Sequence, residues 1–318
     1  MAGMARLDNK VLFFTTSPRT PAKMIPEIEL LCDKFQGRPW NRTTQEQFID
    51  ELAESSFFEG TGSPSDKAFS ARDRINRAPK ALGFVDLKPN IALTDAGHAL
   101  IFGKRPQEIF LRQLLKFQLP SPYHTENVKI RGTFYVRPYL EVLRLINDLE
   151  YLTFDELKIF AVQITDYHKY NEVKDKILNF RKDKELCRGQ YKRFVNDVWE
   201  NAILEIHNDR IAEGRTRTRE TRDASINTFV KTQKGNMRDY ADACFRYLRF
   251  TGLVSIAHKS RTISIFDDKK RDVEFILTNV NRNPVFVDDE DGYKAHLFNA
   301  TTCLLYTSPS PRDKRQSR

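Results

Sequence analysis

Glu156-Leu157-Lys158, Glu172-Val173-Lys174 and Asp267-Asp268-Lys269 are among the strings that set an acid two residues before a lysine. On a strand, with a second acid nearby, that spacing holds Mg²⁺ and lets the lysine orient an attacking water for phosphodiester hydrolysis. The first two strings lie in helical periodicity, where carboxylate and lysine are ordinary surface residues. The third follows a strand, but no Pro-Asp pair or strand-borne acid completes it. Asp288, Asp289, Glu290 and Asp291 read as a charged turn rather than a metal site. His98, His124, His168, His207, His258 and His296 show no His-x-x-x-His or Cys-x-x-Cys spacing. Gly60 to Gly62 lack the glycine-lysine-hydroxyl string of a phosphate loop, and no serine sits in a nucleophile elbow. No catalytic or metal-ligating residue is therefore assigned.

The arginines are more informative. Arg238, Arg246 and Arg249 flank a helical face made by Ala241, Cys244, Phe245 and Leu248. Gly252 is expected to stop that helix with a positive φ. Val254 to Ile256 and Thr262 to Ile265 then read as two strands around a turn at His258-Lys259-Ser260. Helix, glycine and a two-stranded wing form a winged-helix pattern, and it occurs twice. In the earlier copy Ser70 and Asp73 suggest a capping box for a helix bearing Arg72, Arg74 and Arg77. Pro79 restarts it, Gly83 stops it, and LGFVDLKPNIALT supplies the strands and turn. Thr94 should cap a helix from Asp95 to Phe102. Between the copies, from Arg210 to Arg238, Arg215, Arg217, Arg219 and Arg222 recur almost every second residue among threonines, followed by Lys231, Lys234 and Arg238. That segment reads as a mobile basic stretch able to lie along phosphates.

The elements that must position these groups are mostly helical. Val11 to Phe14 reads as a strand, and helices are expected after Pro26 and over Thr44 to Ser55. Further helices carry Phe110 to Phe117, Leu140 to Ile146, Phe154 to Ile164 with Thr153 and Glu156 as capping box, Val173 to Phe180, and Phe194 to Ile206. The helices either side of Tyr151-Leu152-Thr153 read as a packed pair.

The chain has 318 residues, 40% hydrophobic and 30% charged, enough for two or three compact units. No apolar run is long enough to cross a bilayer, and the N-terminus is not a convincing signal peptide. Cys32, Cys187, Cys244 and Cys303 lie far apart and suggest reduced thiols. The net charge of +9 favours a polyanionic partner. The last sixteen residues, CLLYTSPSPRDKRQSR, set Arg312, Lys314, Arg315 and Arg318 against Asp313, so +6 remains without them. This tail resembles the translation of a sequencing-adapter read-through. On that reading it is disordered and without function, and the natural protein was cut near Thr302.

Several strings occur in an informative order: Ser17-Pro18-Arg19, Pro26-Glu27, AFSARDR at Ala68 to Arg74, Gly83-Phe84-Val85 and Leu93-Thr94-Asp95-Ala96-Gly97. Arg105-Pro106, Phe110-Leu111, Gln113-Leu114, Pro120-Ser121 and ADACFRYLRFTGL at Ala241 to Leu253 follow. Together they resemble the N-terminal region of the AlwI-like restriction endonucleases and their strand-specific nicking relatives, up to about Val273. The resemblance implies winged-helix-like recognition of a short asymmetric site on double-stranded DNA. It also implies a C-terminal Mg²⁺-dependent nuclease domain of the Pro-Asp…Asp/Glu-x-Lys type, which this chain is expected to lack, so cleavage by it is left open. A second nuclease subunit for double-strand cleavage and a bacterial or archaeal cytoplasm are further implications.

The expected fold is mainly α with small β-hairpin wings, an α+β chain of tandem winged-helix-like DNA-recognition subdomains. Residues 1–135 hold the first unit, 136–209 a helical region, and 210–280 the basic segment with the second unit. Residues 281–302 form a truncated linker region and 303–318 the tail. The expected DNA-binding residues are Arg72, Arg74 and Arg77, then Arg215, Arg217, Arg219 and Arg222, then Arg238, Arg246 and Arg249. Two alternatives stand beside this: a DNA-binding transcriptional or structural module without nuclease activity, and a complete but divergent nuclease.

Overall fold

A computed structural model describes residues 5–58, 64–187, 189–218, 223–257 and 259–300. The chain opens with strand β1 (Ala5–Leu7) and continues into helices α1 (Met24–Phe35), α2 (Arg42–Glu54), α3 (Lys67–Ile75) and the short α4 (Ala78–Ala81). A two-residue hairpin follows, β2 (Val85–Asp86) with β3 (Ala92–Leu93), then α5 (Asp95–Phe102), α6 (Pro106–Lys116) and β4 (His124–Glu126). Helix α7 (Pro138–Asp148), strand β5 (Tyr151–Thr153) and α8 (Phe154–Ile159) lead to an excursion of three helices, α9 (Tyr170–Leu186), α10 (Tyr191–Ile206) and α11 (Asn208–Ala212). The long α12 (Ile226–Phe250) then feeds the hairpin β6 (Val254–Ala257) and β7 (Thr262–Ile265), and α13 (Lys270–Asn279) and α14 (Glu290–Phe298) finish the described chain. The protein is thus mostly helical, with small antiparallel and parallel sheets.

Local chemistry explains most boundaries. Asn41, Thr94 and Ser225 each accept a backbone N–H three residues ahead, which satisfies a donor that the first helical turn leaves over. Thr153 and Glu156 form the reciprocal capping box expected for α8. The expected Ser70–Asp73 box is absent: Ser70 already lies inside α3, and Asp66 caps it by accepting from Phe69. Gly252 has the expected positive φ of 72°. Gly83 does too, at 75°, and a Cβ there would stand 2.4 Å from Leu297 Cγ of α14. That position therefore needs glycine twice over, for the backbone and for helix approach.

Three further expectations need correction. Val11 to Phe14 forms no strand: these residues sink into the core, Leu12 donating to the Val162 carbonyl at 2.6 Å, and the N-terminal strand lies earlier, at β1. Residues 226–237, read as part of a mobile segment, are the first three turns of α12. Apolar Phe229, Val230 and Met237 bury one face there, which the surrounding arginines and lysines mask in the sequence. Tyr151 to Thr153, read as a connection between packed helices, is a strand that pairs antiparallel with β7 and gives a sheet ordered β5-β7-β6.

The two hairpin regions share a chain order. Helix α7, strand β5, helix α8, helix α12 and hairpin β6–β7 form the later one, with α9 to α11 as an insertion. In the earlier one, α1 precedes a turn, Gly37-Arg38, whose backbone bonds to Ile91 beside β3 (Gly37 N–H to Ile91 O 2.8 Å, Ile91 N–H to Arg38 O 2.9 Å). Helices α2 and α3 and the hairpin β2–β3 complete it.

One continuous apolar core runs from Leu7 to Val280. Within it a chain of rings joins the two regions: Phe84 stacks on Phe110 (6.1 Å), Phe110 meets Tyr247 (5.6 Å), and Tyr247 stacks on Tyr139 (6.3 Å), which meets Phe14 (5.1 Å). After α13 the chain is held by buried polar side chains. Arg282 makes two bonds to Glu141, which is 0% exposed, at 2.9 and 2.6 Å. Gln118 exchanges both its amide bonds with the Val285 backbone, and Gln113 donates to the Leu82 and Leu297 carbonyls, both at 2.6 Å.

Three histidines are built into this interior. Burial, with Lys80 nearby, pushes His124 down to about 3. Burial with Arg210 and Lys10 brings His207 to about 4, and burial with Lys116 and Arg137 brings His296 to about 4. The unfolded chain takes up these protons near pH 6.5, while the folded chain refuses them until about pH 4. Stability is therefore full above that range and falls as the pH drops through it, by up to about 4 kcal/mol per pH unit for three protons. Urea titrations between pH 7 and 4.5 should show this slope, reduced by about a third in His207→Gln. A flat profile would contradict the assignment.

Candidate nucleic-acid interface

A cleft of about 1000 Å³ opens where the N-terminal segment, the turn between α3 and α4, the region after β4, the loop after α11 and the first half of α12 meet. Its lining carries Arg6, Lys10, Arg77, Lys129, Arg210, Arg215 and Arg217 against Asp8, Asp209 and Asp239. All three of those carboxylates already have partners, Asp239 standing 3.5 Å from Arg238. Asp209 pairs with Lys10 at 2.7 Å, and Asp8 accepts from the Asn127 amide at 2.8 Å. The cleft therefore keeps a surplus of positive charge facing solvent.

Each group is placed by a definite piece of structure. β1 runs parallel to β4, pairing Ala5 with His124, Arg6 with Thr125 and Leu7 with Glu126. The Asn127 N–H adds a bond to Leu7 O at 3.0 Å, which sets Arg6, Asp8 and Lys10 along one wall. Arg77 lies between α3 and α4, bonded to the Thr16 hydroxyl at 2.6 Å and paired with Asp73 at 2.6 Å. The loop after α11 is anchored by Arg215 N–H to Arg210 O at 2.8 Å and by the Thr216 hydroxyl to the Ala224 carbonyl. Arg210 itself lies over the Phe229 ring at 5.1 Å. Burial first, and Arg215 second, lower the Arg210 pKa, so its charged form lacks compensation that an incoming anion would supply. From α12 the cleft receives Gln233, Asn236, Asp239 and Tyr240, which follow helical spacing along one face.

Of the ten arginines singled out in the sequence, Arg77, Arg215 and Arg217 lie in this cleft. Arg72 bonds to Gln45 at 2.8 Å. Arg74 is held at 2.5 Å by the nearly buried Glu27 and lies over the Phe58 ring. Arg238 and Arg249 are exposed on α12 outside the cleft, Arg238 beside Asp239 at 3.5 Å. Arg246 pairs with Asp242 at 3.0 Å. Arg219 and Arg222 lie outside the described residues, as does the tail from Cys303. Arg6, Lys10, Lys129 and Arg210 were not singled out. In sequence they are isolated charges, and only β1–β4 pairing and the α11 loop assemble them.

The acid-x-lysine strings have structural partners. Glu156 is buried, caps α8 and holds Arg181 through both carboxylate oxygens at 2.8 and 3.0 Å. Lys158 pairs with Asp155 and lies over the Trp199 ring at 4.3 Å. Glu172 pairs with Lys176 (2.8 Å), Lys174 with Asp148 (2.9 Å) and Asp267 with Lys270 (2.8 Å). Asp289 caps α14. Among the described residues no group of three or more His, Cys, Asp or Glu side chains could hold a metal ion. Cys32, Cys187 and Cys244 are free thiols, and burial pushes Cys32 up to about 12 and Cys244 well up. No described helix is long and apolar enough to cross a membrane.

Arg74 and Arg217 make a discriminating pair. Burial raises the Glu27 pKa and the Arg74 contact pulls it back, without cancelling the rise. Arg74→Ala should therefore cost about 3 kcal/mol at pH 8 and less at pH 5, because acid favours the neutral form of a carboxyl whose pKa burial raises. Arg217→Ala, on an exposed side chain, should stay within about 0.5 kcal/mol. Urea unfolding of both variants at the two pH values checks this.

A search of curated proteins gives no match. A sequence model of a protein family, described as AlwI restriction endonuclease, matches residues 80–309, a span that holds the β2–β3 hairpin, the whole of α12 and its wing, and four of the seven cleft cations. The chain belongs to the AlwI restriction endonuclease family.

Proposed function

We propose that the described chain recognises a short asymmetric sequence on double-stranded DNA, as the reading part of a Type II, Type IIS-like restriction or nicking endonuclease. The observation that carries this reading is the cleft. It is a concave surface with surplus guanidinium and ammonium groups, set beside polar side chains from a helix that spans the molecule. Phosphates would take the charges, while groups on α12 and on the α3–α4 turn approach base edges. Family membership supports an association with restriction.

The shared chain order of the two hairpin regions supports reading them as tandem winged-helix-like units. In each, a helix, an edge segment beside the return strand, two more helices and a hairpin follow in order, with the short α4 interposed in the earlier unit and α9 to α11 in the later. On this reading α3 and α12 are the corresponding third helices; α12 lines the cleft, and Asn76 and Arg77 line it just past the end of α3. Arg77, Arg215 and Arg217 are the leading phosphate contacts. Arg72, Arg74, Arg238, Arg246 and Arg249 are secondary ones, because salt bridges or position outside the cleft restrain them. Mg²⁺ would belong to the nuclease part of such an enzyme, and cutting both strands would call for a second nuclease subunit.

Fluorescence anisotropy on labelled duplexes at stepped salt tests the assignment. Arg215→Ala and Arg217→Ala should each weaken binding to all sequences alike and lower the log–log salt slope by about one. Arg193→Ala, on α10 and away from the cleft, should leave both unchanged. Unaltered affinity and slope in the cleft variants would remove the cleft from DNA binding. Incubating the bound duplex with Mg²⁺ reads cleavage directly.

A further inference from the structure

We propose that Gln233 and Asn236 of α12 read the major-groove edge of adenine in this cleft; the proposal rests on the cleft being the DNA-facing surface. Gln233 is 4% exposed, and its amide oxygen has no hydrogen-bond partner within the protein, yet the residue lines the cleft. A buried acceptor left unmade is costly, and native proteins keep few of them without a use. A ligand group entering the cleft would satisfy it. The neighbouring carboxamides are already engaged. Asn76 accepts from the Trp40 indole at 2.7 Å, while Asn127 donates to Asp8 and accepts from the Lys129 N–H. Asn236, one turn beyond Gln233 on the same helix face, makes no side-chain hydrogen bond among the described residues and lines the same cleft.

The choice of base follows from donor and acceptor arithmetic. A carboxamide offers one acceptor oxygen and two N–H donors from one planar group. Adenine presents an acceptor, N7, beside a donor, the N6 amine, so both ends of the amide are matched. Guanine presents two acceptors there, which suit a guanidinium instead. The charges are distributed accordingly. Arg6 and Arg217 are exposed where a phosphate backbone would run, and the neutral Gln233 lies deeper. Electrostatic grip and base discrimination thus fall to different side chains of one cleft.

The test uses the full chain and a randomised duplex library, with selection by retention on immobilised protein. An enriched motif containing an A·T pair is expected. Replacing that adenine by 7-deazaadenine, which removes N7, should weaken binding about tenfold or more. This arm needs no protein variant and is independent of folding. Gln233→Leu or Asn236→Leu should lose preference at that position, while the other positions and the salt slope stay as in the parent. Gln233→Glu keeps the shape and leaves only acceptors, so preference should move from adenine towards cytosine, whose N4 amine is a donor. A library that enriches nothing would overturn DNA reading by the cleft altogether. An enriched motif without an A·T pair, or one indifferent to 7-deazaadenine at every adenine, would overturn this assignment and leave DNA reading intact.

Discussion

The contact on which the architecture depends is the seat of Tyr247 between Phe110 and Tyr139, with its hydroxyl donating to the Pro18 carbonyl at 3.1 Å. Tyr247 lies near the end of α12, and its neighbours come from α6, α7 and the N-terminal segment. Each aromatic contact adds about 0.5–1.5 kcal/mol beyond the area it buries. A phenol in such a place must also find an acceptor, and the Pro18 carbonyl supplies one. The long helix is therefore fixed in rotation about its axis as well as in position. That rotation decides which of its side chains enter the cleft two to four turns earlier. The family-bearing string around Ala241 to Leu253 is consequently an interior string. Ala241, Ala243, Cys244, Phe245, Tyr247 and Leu248 are all buried.

Charge in the cleft follows from that same packing. Arg210 is partly desolvated on Phe229 and sits beside Arg215, an arrangement that costs free energy in the folded protein alone. A stable fold tolerates it because the apolar core beneath is continuous, and because Asp209 and Glu213 offset part of the repulsion through Lys10 and Arg215. The surplus that remains is the property a polyanion would use. Arginines on α3 differ in kind. Arg74 neutralises a carboxylate that burial has made expensive, so its charge is spent inside the protein.

How much of this was legible follows from the range of each interaction. Thr94, Thr153 with Glu156, and Gly252 act within four residues, and their roles could be read from spacing alone. Ser70 misled because Asp66 competes for the same role a turn earlier, and a carboxylate is the stronger cap at a helix N-terminus. Tyr151 to Thr153 looked like a connection because its partner strand lies more than a hundred residues away, and a three-residue strand leaves almost no alternation to detect. Basic residues were legible as a class, and their site was not. Arg77, Arg215 and Arg217 meet in the cleft with Arg6 and Lys129 only through the parallel β1–β4 pair and the turn after α3, neither of which has a local signature. Gln233 was invisible for a different reason, since nothing in a sequence marks an amide whose oxygen the fold leaves unpaired.

The segment after α13 constrains how recognition could be passed on. A loose linker would have exposed backbone and few fixed bonds. Here Arg282 is locked to the fully buried Glu141, Gln118 holds Val285 through two bonds, and the end of α14 is met by Gln113 and by Lys116, whose amine donates to the Asn299 carbonyl at 2.6 Å. Burial and the adjacent Arg112 bring Lys116 down to about 8, so its charged form is held there at a cost that this bond helps to offset. Gly83 admits Leu297 at a distance no side chain would allow. Residues 280 to 299 therefore belong to the same rigid packing as the β2–β3 hairpin and α6. Through Phe84, Phe110 and Tyr247 that packing is continuous with α12. A change at the cleft that shifted α12 along its axis would have to move the Phe110 contact, and with it the bed on which α14 lies. Coupling between the two ends of the molecule, where it exists, is thus carried by packed rings and not by a hinge.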